Sequence, residues 1–249
     1  MSWARRRKGL YIGTAAAIFL VIAAFILYAF LSRPASCFNG LKDGNEKNID
    51  CGGACSRMCM EDVQAPLVLW TRVLPLAPST YTAAAYIENK NVGSYVRAAR
   101  YTFKLFAANN VLVAERQGVT SIASGRITPI IEANISTGSR TPARAFFEFL
   151  DTPMWDKAAG TPEVRVDGQN LDASGQRLSV VVHNDSGSNI SNLSVAAVLF
   201  DDSGTAQAAS VSVVPSLGKG QQTPVVFTWP LAPTQSIVRA EVVALPIPK

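Results

Sequence analysis

The sequence predicts an all-β protein in which two tandem β-sandwiches follow one N-terminal transmembrane helix. Three observations carry that prediction. Residues 10–31, "LYIGTAAAIFLVIAAFILYAFL", form an unbroken run of 22 residues without a charge. Beyond Glu61 no stretch reads as a long amphipathic helix; short runs rich in Val, Thr, Tyr and Phe alternate apolar with polar residues between Asn/Gly/Ser/Pro clusters, which is the strand pattern. That pattern also repeats itself once, at an offset of 94 to 95 residues.

The first element is the anchor. A helix of residues 10–31 rises about 1.5 Å per residue, roughly 33 Å in all, enough to cross a hydrocarbon layer. It is apolar all round, where a soluble core helix of that length keeps a polar face. Arg5, Arg6, Arg7 and Lys8 precede it and only Arg33 follows closely, so residues 1–9 are expected in the cytoplasm and the rest of the chain outside. Tyr11 and Tyr28 sit near the two ends, and Pro34 stops the helix. Cleavage is the competing reading, but the run exceeds the roughly 7–15 residues of a signal core and no A-x-A site follows. "RPASC" sets small residues before Cys37, as at a lipidation site, although Pro34 stands where such signals carry an aliphatic side chain. An uncleaved single-pass anchor, with the lipid bilayer as partner of residues 10–31, is the expectation; cleavage and a lipidated Cys37 are the alternatives.

This orientation changes the meaning of the charge. The formal net charge is +5, yet from Arg33 onward 19 basic residues face 18 acidic ones. The basic balance therefore reports the topology signal, and nucleic acid is not an expected partner.

Residues 32–63 form the second element, a cysteine-rich neck. Cys37, Cys51, Cys55 and Cys59 are the only cysteines, spaced C-x13-C-x3-C-x3-C. Structural zinc sites bring cysteines closer, often with histidine, and the single histidine, His183, is distant. Ferredoxin spacings are absent too. In an oxidising space an even number of cysteines forms disulfides, so two bridges are expected, with three pairings open. A neck closed in this way is constrained in its unfolded states. Asp43, Asn45 and Asp50 alternate as calcium ligands do, but Lys47 breaks the series and no bidentate glutamate follows. A solvated turn is expected there. No metal or cofactor is implied.

The stretch from Cys37 to Cys59 resembles a cysteine motif of bacterial secreted and surface proteins. Cys37, Asn39, Gly40, Asp43, Gly44, Glu46, Asp50, Cys51, Gly52, Gly53 and Cys55 fit it, and the last gap, three residues instead of two, departs from it. The resemblance covers about a tenth of the chain and implies a stapled module at a cell surface.

Next come the sandwiches, expected at 64–155 and 163–249 with a linker at 156–162, where "DTPMWDKAAGTP" loses periodicity. Asn89 answers Asn184, Leu105-Phe106 answers Leu199-Phe200, and Gly125, Thr128 and Pro129 answer Gly220, Thr223 and Pro224. A duplicated unit of about 90 residues suits a small sandwich. Strands are expected at 67–74, 80–88, 95–106, 111–120, 127–135 and 143–150, and again at 163–166, 177–183, 190–200, 206–214, 223–229 and 237–245. Along the third strand Tyr101, Phe103 and Leu105 share one face, matched by Val195, Ala197 and Leu199; such alternation buries one face of each of two stacked sheets. Arranged in series behind one anchor, the two sandwiches would make an elongated rod.

These copies resemble Ig-like sandwiches of the FxLYD type, a bacterial family akin to the late-embryogenesis-abundant (water-stress) sandwiches. The name-giving stretch reads Phe103-Lys104-Leu105-Phe106-Ala107 in the first copy and Ala197-Val198-Leu199-Phe200-Asp201 in the second, with Phe replacing Tyr in both. Asn89 and Asn184 fit the family's turn before the third strand. The resemblance implies a fold and an extracytoplasmic setting; it brings no catalytic residues.

Residues for catalysis are sparse. His183, beside Asn184 and Asp185, reads as a hydrogen-bonding strand-end residue, and Asp201-Asp202 as a turn. No nucleophile elbow, phosphate loop or zinc helix occurs. Asn134, Asn184, Asn189 and Asn192 lie in N-x-S sequons. One asymmetry stands out: residues 64–155 carry 9 basic against 5 acidic residues, and residues 160–249 carry 5 against 7. Arg97, Arg100 and Lys104 cluster on the third strand, a candidate contact for an anionic surface. The expected function is a membrane-anchored, extracytoplasmic, non-enzymatic protein that presents its sandwiches to an envelope protein or polymer. A structural spacer or stress-protective module is the alternative, and an enzyme is the weakest reading because no site is visible.

Overall fold

The computed structural model describes residues 3–31, 36–158, 160 and 162–246. Arg33 and Pro34, which the orientation and helix-stop arguments use, lie outside the described residues. So do Ala159, Thr161 and residues 247–249. The chain divides into two units, Met1–Ala54 and Cys55–Lys249.

In the first unit α1 spans Trp3–Leu31. Its segment Arg7–Ala29 is long and apolar enough to cross a membrane, and its large side chains, such as Phe19 and Phe25 at 71% exposure, cover no protein core. One such helix at the N-terminus fits a single-pass membrane protein. The turn that follows is organised by carboxylates. Asp50 accepts the Asn39 and Gly40 N–H groups on its two oxygens at 3.0 and 2.9 Å. Asp43 accepts from the Asn39 amide at 2.6 Å and from the Ser36 N–H at 3.2 Å, and Glu46 accepts from the N–H groups of Asp43 and Asp50. Gly53, at φ +53, lies so close to the chain that a Cβ there would stand 1.5 Å from the Asn45 carbonyl oxygen. All four cysteines are disulfide-bonded, as the spacing and compartment argument expects. A bridged Cys37 has no sulfur free for a lipid thioether.

The second unit is built from thirteen strands: β1 (Leu67–Ala77), β2 (Thr80–Glu88), β3 (Ser94–Phe106), β4 (Leu112–Ile122), β5 (Ile127–Ser136), β6 (Arg144–Phe149), β7 (Trp155–Lys157), β8 (Val164–Leu171), β9 (Arg177–Asn184), β10 (Ile190–Asp201), β11 (Ala206–Leu217), β12 (Gln222–Thr228) and β13 (Ile237–Leu245). They form four antiparallel sheets: β1-β2-β5 with β4-β3-β6, and β8-β9-β12 with β11-β10-β13. The second pair repeats the strand order of the first, so the duplication seen in sequence is a duplication of topology. Each pair closes on its own core. Ala83, Ile87, Val96, Phe103, Leu105 and Ile122 fill the first; Leu178, Val182, Val195, Ala197, Leu199 and Phe227 fill the second.

The repeated asparagine does the same work twice. Asn89, 1% exposed, donates its side-chain amide to the carbonyls of Ser94 and Ala123, both at 2.8 Å, and accepts the Asn91 N–H. Asn184, fully buried, donates to the carbonyls of Ser188, Leu217 and Gly218 and accepts from Ser186. In both copies one buried amide supplies the partners that looping carbonyls would otherwise lack.

β7 lies where the sequence suggests a linker. Its three residues pair with Ser94–Val96 of β3, and Trp155 is 1% exposed in the first core. On its other side the Lys157 N–H donates to Ser56 at 2.7 Å and the Met58 N–H to Trp155 at 2.9 Å. Asp156 and Lys157 of the expected linker, and residues 56–58 of the expected neck, are therefore built onto the sheet of the first sandwich. An apolar anchor, Trp155, carries its neighbours into register with β3.

The expected rod is corrected. Leu74, Ala84 and Tyr86, on the outer face of β1-β2-β5, form one buried cluster with Val198, Phe200, Ala206 and Ala209, on the outer face of β11-β10-β13. Trp70 stacks on Tyr86 with ring centroids 4.4 Å apart and meets Phe200 edge-on at 6.3 Å. Arg239 lies 4.1 Å over the Phe200 ring, and the Tyr86 hydroxyl donates to Glu241 at 2.8 Å. The sandwiches pack face to face because both outer faces are apolar there. Burying that surface is favourable by about 25 cal/mol per Å².

Candidate functional site

β3 carries all three cations of the sequence-predicted patch. Its inward residues, Tyr101, Phe103 and Leu105, are held in the core, which turns Arg100, Thr102 and Lys104 to the other face. Arg100 makes a two-point ion pair with Asp151, 2.6 Å from Nε and 3.1 Å from Nη2. That hydrogen bond and charge hold the Asp151 carboxyl below its usual range. Lys104 pairs with Glu148 on the neighbouring strand β6. Two of the three charges thus have a carboxylate partner on the protein.

Arg97 differs. It sits at an irregularity of the ladder between Val96 and Ala99, is exposed, and makes no ion pair among the described residues. The Tyr95 hydroxyl accepts from its Nη2 at 2.6 Å and the Tyr95 ring lies 5.6 Å from its guanidinium. A buried tyrosine therefore aims the cation without neutralising it. Arg97 opens onto a cleft of about 290 Å³ between the sandwiches, whose walls include Thr120, Ser121, Asn192 and Ser194. Hydroxyls, an amide and one uncompensated guanidinium suit an anionic, hydrogen-bonding ligand. Asn192 and Ser194 lie nearly a hundred residues from Arg97, so no local pattern in the sequence joins them; packing does.

The other titratable candidates have structural partners. His183 Nε2 is 3.0 Å from Asp167 Oδ1, and Arg165 bridges Asp167 and Asp185, the strand-end role expected of it. Asp201 accepts from the Ser203 hydroxyl, the N–H groups of Ser203 and Thr205, and the Gln207 amide. The Ser203 bond and the Thr205 N–H together hold its carboxyl below the usual range, as a turn-forming aspartate requires. Among the sequons, Asn134, Asn189 and Asn192 are exposed, whereas the Asn184 amide is consumed by its three carbonyls. Asp50 accepts backbone N–H groups on both oxygens, and Asp43 accepts one backbone N–H and the Asn39 amide, the turn reading again.

No protein-family model matches the chain, and no curated protein does. Among solved structures, the transglutaminase of red sea bream aligns over 74% of this chain and 29% of its own length, at 10% identity and a TM-score of 0.24. At that score the alignment carries no argument about function.

Proposed function

We propose that this protein is a single-pass, non-enzymatic binding module of the cell envelope. Its N-terminus lies in the cytoplasm, and its two sandwiches lie outside and engage an anionic envelope polymer. The resemblances to FxLYD-type sandwiches and to the surface-protein cysteine motif belong to the same proposal. The observation that carries it is Arg97, an exposed cation without a counter-charge among the described residues, set by Tyr95 at the mouth of an inter-sandwich cleft. A charge left unpaired beside paired neighbours is available to a ligand, and clefts between domains are where ligands bind. The membrane helix supplies attachment, and the four bridged cysteines suit an oxidising compartment.

The test uses the full chain in zwitterionic nanodiscs, titrated with poly-glutamate and separately with phosphatidylglycerol vesicles. Binding should fall as salt rises, and Arg97→Gln should weaken it about fivefold, the scale of one surface cation. Arg100→Gln and Lys104→Gln should change it less, because each cation already has a carboxylate. Binding that ignores both salt and Arg97 would remove the reading.

A further inference from the structure

The duplication leaves open in one copy a face that is buried in the other. In the seam, strand register sets Phe200 of β10 beside Arg239 of β13 and Ala206 of β11, and Phe200 and Ala206 are both buried. The same register in the first sandwich sets Phe106 of β3 beside Arg144 of β6 and Leu112 of β4, with Phe146 where the second copy has Glu241. Here the face is open: Leu112 is 43% and Phe146 54% exposed. Phe146 meets Phe106 edge-on at 5.5 Å, and the Arg144 guanidinium lies 5.7 Å from the Phe146 ring. Arg144 makes no ion pair or hydrogen bond among the described residues.

The seam itself shows what covers such a face. There the cover is the outer face of β1-β2-β5, with Trp70, Tyr86 and Ile131 packed into it. Its counterpart in the second sandwich is the outer face of β8-β9-β12. Strand register puts Asp167 in the place of Trp70, Val181 in that of Tyr86 and Val226 in that of Ile131. The two uncovered faces correspond contact by contact. Where Tyr86 donates to Glu241, Val181 would meet Phe146, so a polar pair gives way to an apolar one. Where Trp70 meets Phe200 beside Arg239, Asp167 would stand beside Phe106 and Arg144, and the lone cation gains a carboxylate. Both sides of each contact have changed, and each still matches. The overall charges agree: residues 64–155 carry 9 basic against 5 acidic residues, residues 160–249 carry 5 against 7, so the first sandwich of one chain attracts the second of another.

We propose that the open β4-β3-β6 face is a docking site for a second copy of this chain, which enters through the outer β8-β9-β12 face of its second sandwich in the geometry of the seam. Lys104 and Glu115 stand where the seam has Val198 and Ala209, so this contact is more polar than the seam and forms reversibly. It is also heterologous: each end of a pair keeps one free face, and copies add in a row. The residues of the Arg97 cleft take no part, so this inference and the polymer-binding reading can each fail alone.

The experiment uses the full chain in detergent micelles. Phe146→Cys and Val226→Cys are made separately, one of them tagged, then mixed and treated with a short bismaleimide. The four native cysteines are all bridged, so the introduced thiol is the one that reacts. Mixed dimers should form several-fold faster than from Phe146→Cys with Val92→Cys, a loop position 87% exposed. Arg144→Glu in the first partner should slow linking about threefold, the scale of one exposed ion pair. Asp167→Lys in the second partner should then restore it, which a merely damaged face would not allow. The proposal is overturned if the matched pair links no faster than the loop control, or if Phe146→Cys chains link to each other faster than to Val226→Cys chains. Charge reversal at Arg144 without effect, or not rescued at Asp167, overturns it as well.

Discussion

Asn89 and Asn184 show what a single side chain contributes when a turn is folded over it. Each is buried, each gives both amide hydrogens to backbone carbonyls, and each takes a donor back on Oδ1. Removing the amide strands buried carbonyls and refills nothing. Asn184→Ala should therefore cost about 2–3 kcal/mol in denaturant unfolding. Asn184→Asp should cost more at neutral pH, because an oxygen would then face the carbonyls of Ser188, Leu217 and Gly218. Acidification, which returns a proton to that side chain, should recover part of the difference. A loss below about 0.5 kcal/mol for Asn184→Ala would show that the backbone bonds of the same turn suffice. The positions of these asparagines were legible in the sequence as a repeat, and the first-copy partners Ser94 and Ala123 were not. A carbonyl acceptor leaves no trace in composition or periodicity. The cation patch shows the same limit: Arg100 and Lys104 look free until Asp151 and Glu148 arrive from elsewhere in the chain.

At the scale of elements, every expected strand exists, with ends moved by up to five residues, because runs of strand-forming residues bounded by turn residues leave little freedom in where a strand lies. β7 escaped because three residues, Trp-Asp-Lys, are too few to alternate. The strands also carry a device against association. Pro75 lies in β1, Pro129 in β5, Pro215 in β11 and Pro224 in β12, each at the edge of its sheet, and the central strands β2, β3, β9 and β10 contain none. A proline at an edge has no N–H to offer a passing strand. The Thr-Pro pair is part of the repeat itself, so both copies inherited the protection. Pro224→Val should leave the melting temperature within about 2 °C, a small change for a unit of this size. It should also raise the dimer fraction seen by sedimentation in detergent as concentration increases. An unchanged monomer at every concentration would mean that the twist of β12, not its proline, protects that edge.

For the whole extramembrane unit, the decisive feature is the seam between the sandwiches, and its signal was present in the sequence. β2 reads Ala83-Ala84-Ala85-Tyr86-Ile87 and β10 reads Val195 to Phe200, continuous apolar runs where a half-exposed strand alternates. A strand apolar on both faces is covered on both; one face meets its own core and the other meets the second sandwich. An elongated rod leaves Tyr86 and Phe200 in water, which is why the compact pairing wins. Tyr86 gives the seam a pH signature. Burial opposes its ionisation more strongly than the nearby Arg239 favours it, and its phenol is pushed up from 10.0 to about 12. In the unfolded chain the proton leaves near the ordinary value, so the contribution of this phenol is complete below pH 10. It is lost as pH rises through about 12. Ionised, Tyr86 can no longer donate to Glu241, and two negative groups would meet across the seam. Denaturant midpoints at pH about 9 and about 11.5 should accordingly fall further for the wild type than for Tyr86→Phe, which has no proton to lose. The buried Tyr101, also raised by burial and by its bond to Glu132, is present in both proteins and cancels in the comparison. Equal falls in the two would mean that the seam opens without regard to the Tyr86 hydroxyl, and that its stability resides in the packing of its rings alone.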